Sequence, residues 1–131
     1  MAGQGRVMGV GGVFVKSADP EATRRWYAQA LGLERNEYGE FDFRHTASAE
    51  AWRDGARTIF ARFNADTTYF DPSPHPVMIN LMVDDLDAVM ARLASHGVAL
   101  IGEPEDYPYG RFAWVMDPDG VKIELWQPVH A

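Results

Sequence analysis

Two kinds of hydrophobic periodicity divide this chain. Residues 7–16 (VMGVGGVFVK), 58–63 (TIFARF) and 77–83 (VMINLMV) are short, apolar and rich in β-branched side chains, and each predicts a strand. Gly9, Gly11 and Gly12 in the first run mark a bulge or a close backbone approach. Helical spacing takes over after Asp19-Pro20-Glu21, where Pro20 suits the first helical position and Trp26, Ala30 and Leu31 form an apolar stripe that Gly32 ends. A second helix opens at Asp85-Leu86-Asp87, runs through Leu93 and Ser95, and stops at Gly97. Two short alternating pieces are predicted around Tyr38-Gly39 within residues 33–45, another strand over 98–101, and a loop over 102–109.

The last stretch, YGRFAWVMDPDGVKIELW over residues 109–126, predicts a hairpin: strands 111–116 and 121–126 closed by the turn Asp117-Pro118-Asp119-Gly120. Alternation puts Val121, Ile123 and Leu125 on one face and Lys122, Glu124 and Trp126 on the other. On the partner strand, Phe112, Trp114 and Met116 alternate against Arg111, Ala113 and Val115.

The halves share a plan. Asp19-Pro20-Glu21-Ala22 and Asp85-Leu86-Asp87-Ala88 are 66 residues apart, and Gly32 and Gly97 are 65 apart. Each half reads as a βαβββ unit, module 1 over about 7–65 and module 2 over about 77–128, joined by the Pro-rich segment DTTYFDPSPHP at 66–76. One unit is too small to bury its own sheet comfortably. The expected fold is therefore α+β: two tandem βαβββ modules forming one open, curved, barrel-like sheet with the helices outside and a concave face within.

Composition narrows the function. Hydrophobic residues make up 47% and charged residues 24%, a globular balance, and the net charge of −7 argues against a nucleic-acid backbone as partner. With no cysteine there is no disulfide framework, thiolate metal site or Cys nucleophile, which suits the cytoplasm. No apolar run has the length of a membrane span, and the opening MAGQGRVMGVGGVFV lacks a secretory pattern, so no membrane partner is expected.

The candidate chemistry centres on Glu124. A carboxylate set among aromatics needs a partner, a proton or a ligand. It can pair with Lys16, Lys122 or Arg111, or serve as a general acid or base. By alternation Gly12, Phe14 and Lys16 share one face of the first strand and Met78, Asn80 and Met82 one face of the third; taken with Phe112, Trp114, Glu124 and Trp126 they make an aromatic, Met-rich set suited to a planar or apolar molecule. Core filling accounts for any one of these residues; the set points to a cavity. Tyr109 and Arg111, where the loop meets the pocket edge, are candidates for binding a carboxylate or phenolate. His45, His75, His96 and His130 lie at a strand end, in the linker, at a helix end and at the C-terminus, and read as solvated surface residues.

Three pieces, GVFVKSADPEATRRWYAQALGL, MINLMVDDLDAVMARLASHGV and YGRFAWVMDPDGVKIELWQP, together resemble the glyoxalase/bleomycin-resistance/extradiol-dioxygenase family, the vicinal oxygen chelate superfamily. The resemblance implies paired βαβββ modules, frequent dimers, and activities from lyases and dioxygenases to drug binding. In the family's metalloenzymes a divalent ion is held by a His/Glu quartet from the first and last strands of each module. Here those slots fall on Gly12, Met78, Thr58 or its neighbour Ile59, and Glu124, of which only Glu124 is a good ligand type. The expectation is thus a homodimeric protein holding a small molecule with no cofactor and no tightly bound metal. A lyase or dioxygenase-type enzyme, using Glu124 as acid/base or an unusual metal ligand set, is the second reading; a structural module whose own side chains fill the cavity is the third.

Overall fold

The computed structural model describes residues 5–54 and 56–129. Among them are three helices, α1 (Pro20–Ala30), α2 (His45–Ala51) and α3 (Leu86–Ser95), and four strands, β1 (Met78–Met82), β2 (Glu105–Tyr107), β3 (Gly110–Met116) and β4 (Lys122–Pro128). The strands form one open α+β sheet in the order β1-β4-β3-β2, with β1 parallel to β4 and the other pairs antiparallel.

Both long helices begin as their sequences require. Asp19 Oδ1 accepts the Ala22 amide at 3.2 Å and Asp85 Oδ1 accepts the Ala88 amide at 3.1 Å, each satisfying an N-terminal N–H that the helix itself leaves open. The two helices cover one face of the sheet. Ala30 of α1, Leu86 and Leu93 of α3, and Ala113, Val115, Val121, Ile123 and Leu125 of the hairpin form a single buried core, with Trp26, Tyr27 and Leu31 packed against it.

The Asp117–Gly120 turn joins the halves of the chain. Asp117 Oδ1 accepts the Asp119 and Val121 amides at 2.9 Å each, and its Oδ2 accepts the Tyr27 hydroxyl of α1 at 2.6 Å. Asp119 accepts the Ser17 hydroxyl at 2.9 Å and the Thr23 hydroxyl at 3.1 Å. Asp119 thus holds the start of α1 and Asp117 its later part, about a hundred residues away in sequence.

The expected strands of the first half are not in the ladder. Residues 7–16, 33–43 and 58–63 have no strand pairing in this chain, and the outer two runs are largely solvent-exposed, with Val7 at 96% and Phe14 at 95%. An apolar, β-branched run records a readiness to pair, but a strand exists only where another backbone meets it. Residues 98–101 likewise form no strand, although the Ile101 amide donates to the Trp114 carbonyl at 2.7 Å. Conversely, the predicted loop 102–109 contains β2, which pairs with β3, and residues 45–51 are helical where His45 was placed at a strand end.

Candidate functional site

The register of the sheet builds the site on the face away from α1 and α3. Asn80 lies beside Glu124, Glu124 opposite Trp114, Trp126 opposite Phe112, and Lys122 between Met78 and Met116. The rings form an ordered wall. Phe112 stacks on Trp126 at 6.2 Å and 4° and on Trp114 at 6.3 Å and 14°, while Tyr107 and Tyr109 stack on each other at 5.3 Å and 3° and meet Phe112 edge-on. Gly110 makes this possible: at φ 142° a side chain is strained, and a Cβ there would overlap the Trp126 indole, whose Nε1–H donates to the Tyr109 carbonyl at 3.1 Å.

At the centre of the wall Glu124 is nearly buried, 9% exposed, and ringed by donors. Its Oε2 accepts the Tyr69 hydroxyl at 2.5 Å and the Trp114 indole N–H at 2.9 Å; its Oε1 accepts the Asn80 amide at 2.8 Å. Tyr69 arrives from the Pro-rich segment, which crosses this face. The Ser73 hydroxyl donates to the Gly120 carbonyl at 2.5 Å, a His75 ring nitrogen lies 2.9 Å from the Asp119 carbonyl, and the Lys122 ammonium donates to the Tyr69 carbonyl at 2.6 Å. The Tyr69 ring stands edge-on to Trp114 at 6.4 Å, stacks with Phe63 at 5.5 Å, and has the Lys122 ammonium 5.1 Å from its centroid.

Electrostatics follow from this crowding. Burial raises the Tyr69 phenol above its ordinary value, and the hydrogen bond to Glu124 adds to the rise. Burial draws the Lys122 ammonium below its ordinary value, against the opposing charges of Glu124 and Asp71. Beside them lies a cleft of about 160 Å³ lined by Tyr69, Ile101, Glu103, Glu105, Trp114 and Lys122.

Of the residues singled out from sequence, Glu124, Asn80, Met78, Trp114 and Trp126 share this face, and Tyr109 stands at its rim. Phe14 and Lys16 are solvent-exposed in the unpaired first segment. Arg111 is carried to the helix side, where its guanidinium donates to Asp87 of α3 at 3.1 Å and to Asp106 at 3.0 Å, so it does not edge the pocket. No ion pair links Glu124 to Lys16, Lys122 or Arg111 among the described residues; hydrogen-bond donors take that place. Tyr69 belongs to the Pro-rich segment expected only to join the two modules. Its aromatic neighbour Phe70 and the surrounding prolines signalled an ordered segment, but no periodicity connects it to Glu124.

The residues do not fit the metal that the family's enzymes hold. A cation needs a ring of acceptors, whereas Glu124 faces a hydroxyl, an indole N–H and an amide NH₂, with an ammonium nearby. Gly12, Thr58 and Ile59 are in the unpaired segments. Among the described residues no three His, Asp or Glu side chains converge as a metal site requires, and His45, His75 and His96 lie apart; His130 is outside the described residues.

The open sheet thus carries a helix-covered aliphatic face and, opposite it, an aromatic, carboxylate-centred one. The family model of the Glyoxalase/Bleomycin resistance protein/Dioxygenase superfamily matches residues 9–125, and the chain belongs to that superfamily. It is similar to TnmS3, an antibiotic binding protein from Streptomyces sp. CB03234, at 30% identity and TM-score 0.55, covering 94% of this chain and 100% of that one. A glyoxalase/bleomycin resistance protein from the same organism is also 30% identical, with TM-score 0.53 over 86% of this chain and 95% of that one. A glyoxylase/bleomycin resistance protein/dioxygenase domain from Frankia sp. EAN1pec shares the fold at 18% identity and TM-score 0.56, covering 95% and 100% of the two chains. No curated protein sequence matches.

Proposed function

We propose that this protein binds a planar, largely apolar small molecule against the aromatic face, without a tightly held metal or other cofactor. The observation that carries the reading is Glu124 held among the near-parallel rings of Trp114, Phe112 and Trp126 and covered by the partly exposed Tyr69 ring, an aromatic setting with one polar point of orientation beneath a single side chain. The antibiotic-binding description of TnmS3 supports it. The donors around Glu124 favour binding over metal-dependent lyase or dioxygenase chemistry.

A second copy of the chain belongs to the same reading. Residues 7–16 and 58–63 keep strand-forming sequences without partners, and Val7, Phe14 and Phe60 (73% exposed) stand in solvent. A homodimer in which these runs meet the other copy's sheet buries them and supplies the expected division into two modules, about 7–65 and 77–128, around the 66–76 linker. The cysteine-free chain suits the cytoplasm, and among the described residues no helix is long and apolar enough to cross a membrane.

Titration of β-naphthol into the purified protein, read by quenching of indole fluorescence, tests the site. Saturable quenching in wild type that is lost in Trp114→Ala, in protein carrying less than stoichiometric metal by elemental analysis, is the expected result. Stoichiometric metal that Glu124→Ala removes overturns the metal-free reading. Light scattering tests the dimer, and a monomer at micromolar concentration overturns it.

A further inference from the structure

We propose that Tyr69 is a built-in occupant of the ligand position, and that the molecules which replace it are planar aromatics bearing a hydroxyl donor. The inference rests on the binding reading above and names its ligand class. Tyr69 is itself a planar ring with a hydroxyl, and each part of it meets a matching group: the O–H donates to Glu124, the ring stands against Trp114, and the ammonium of Lys122 lies over its face. A phenol-bearing ligand reproduces all three contacts. An aromatic ether or hydrocarbon repeats the ring contacts but leaves Glu124 short of one donor, and a hydrogen bond to a buried charged acceptor is a major share of such a small interface.

The structure also shows how the ring can leave. The backbone around Tyr69 is held by the Lys122 ammonium on its carbonyl, and further along by Ser73 and His75 on the Asp117–Gly120 turn. None of these bonds involves the Tyr69 side chain, which is fixed by ring contacts and one phenolic hydrogen bond and is still 40% exposed. Rotation of the side chain therefore opens the position and leaves the segment in place. With the ring in, the adjoining cleft of about 160 Å³ is smaller than the roughly 300 Å³ at which small-molecule pockets begin. With the ring out, that cleft joins the space in front of Trp114 and Glu124.

The test pairs β-naphthol with its methyl ether, which keeps the rings and lacks the donor, against wild type, Tyr69→Ala and Tyr69→Phe, by indole quenching. Tyr69→Ala is expected to bind both probes about tenfold more tightly than wild type does, since each is relieved of the same displacement, with β-naphthol bound more tightly than its ether in every protein. Tyr69→Phe, which keeps the ring and frees the carboxylate, is expected to retain the preference for β-naphthol with a smaller gain; it serves alone if Tyr69→Ala does not fold. Equal affinities of the two probes for the same protein overturn the hydroxyl requirement. Unchanged affinities in both variants, with both probes still bound, overturn displacement while the binding site stands. If neither probe binds wild type or either variant, the binding reading falls and this inference falls with it.

Discussion

The two faces of the sheet are made by the same strands, yet they are finished differently. Toward α1 and α3, Val115, Ile123 and Leu125 are fully buried among aliphatic side chains that α1 and α3 supply. On the other face Phe112, Trp114 and Trp126 are buried nearly as well, but around a carboxylate and an ammonium, and the cover over Glu124 is one tyrosine from an irregular segment. A face closed by helices is built to stay closed, because every apolar contact there is lost on opening. A face whose cover is a single side chain can open at the cost of a few contacts. Stability should therefore reside on the helix side and recognition on the other, a division that substitutions can test directly.

Leu93→Ala should give the largest loss of stability. Leu93 is fully buried in the helix-side core, and its truncation should cost about 2–5 kcal/mol in urea unfolding. The folded fraction should quench with β-naphthol as wild type does. A drop in affinity that matches the loss of stability would dissolve the division between the faces.

Asp117→Ala comes next, since it strips the acceptor from the Tyr27 hydroxyl and from two turn amides. The expected cost is about 1–3 kcal/mol, again without loss of binding. Alkaline titration probes the same joint. Burial, reinforced by Asp117, raises the Tyr27 phenol well above its ordinary value, whereas in the unfolded chain a tyrosine ionises near pH 10. Below that pH both states keep the proton and the contribution is complete. Above it the unfolded chain gives up its proton first, so stability falls as pH rises, by at most about 1.4 kcal/mol per pH unit for this one group. Tyr27→Phe should flatten the decline. Tyr69→Phe should do so less, because the Tyr69 ring is partly in solvent. Equal flattening by the two would mean that the open face carries as much stability as the helix side.

What could be read from the sequence divides along similar lines. The hairpin was legible because its strands adjoin in sequence, its turn names itself, and alternation sorts its side chains onto two faces. The helix starts were legible because Asp19 and Asp85 cap within their own first turns. Alternation also set Arg111 with Ala113 and Val115, on the side where it meets Asp87, although its nearness to the loop suggested the pocket edge. The strands expected at 7–16 and 58–63 illustrate the limit: their composition encodes a preference, while pairing depends on a second backbone. Tyr69 lay further out of reach. Its contact with Glu124 spans 55 residues, and the segment bringing it there follows no period.

Glu124→Gln should have the smallest effect on stability, and it separates two roles for the carboxylate. The Tyr69 hydroxyl and the Trp114 indole both donate to Oε2, so an amide oxygen in that place keeps both bonds. The amide nitrogen then falls at Oε1, where it faces Asn80; Asn80 is exposed and can turn its own oxygen inward to accept. Every donor finds an acceptor, and the loss is confined to the extra strength of a charged acceptor, within about 1 kcal/mol. Glu124→Ala has no such remedy. It leaves the buried Trp114 N–H without its acceptor and should cost about 1–3 kcal/mol. Binding reads the same oxygen: β-naphthol exchanges one hydroxyl on it for another, so Glu124→Gln should leave its affinity nearly unchanged, while the methyl ether, which only displaces the Tyr69 bond, should bind more tightly than to wild type. If Glu124→Gln destabilises as much as Glu124→Ala, the negative charge itself holds this face together, and the hydrogen-bond account of Glu124 fails.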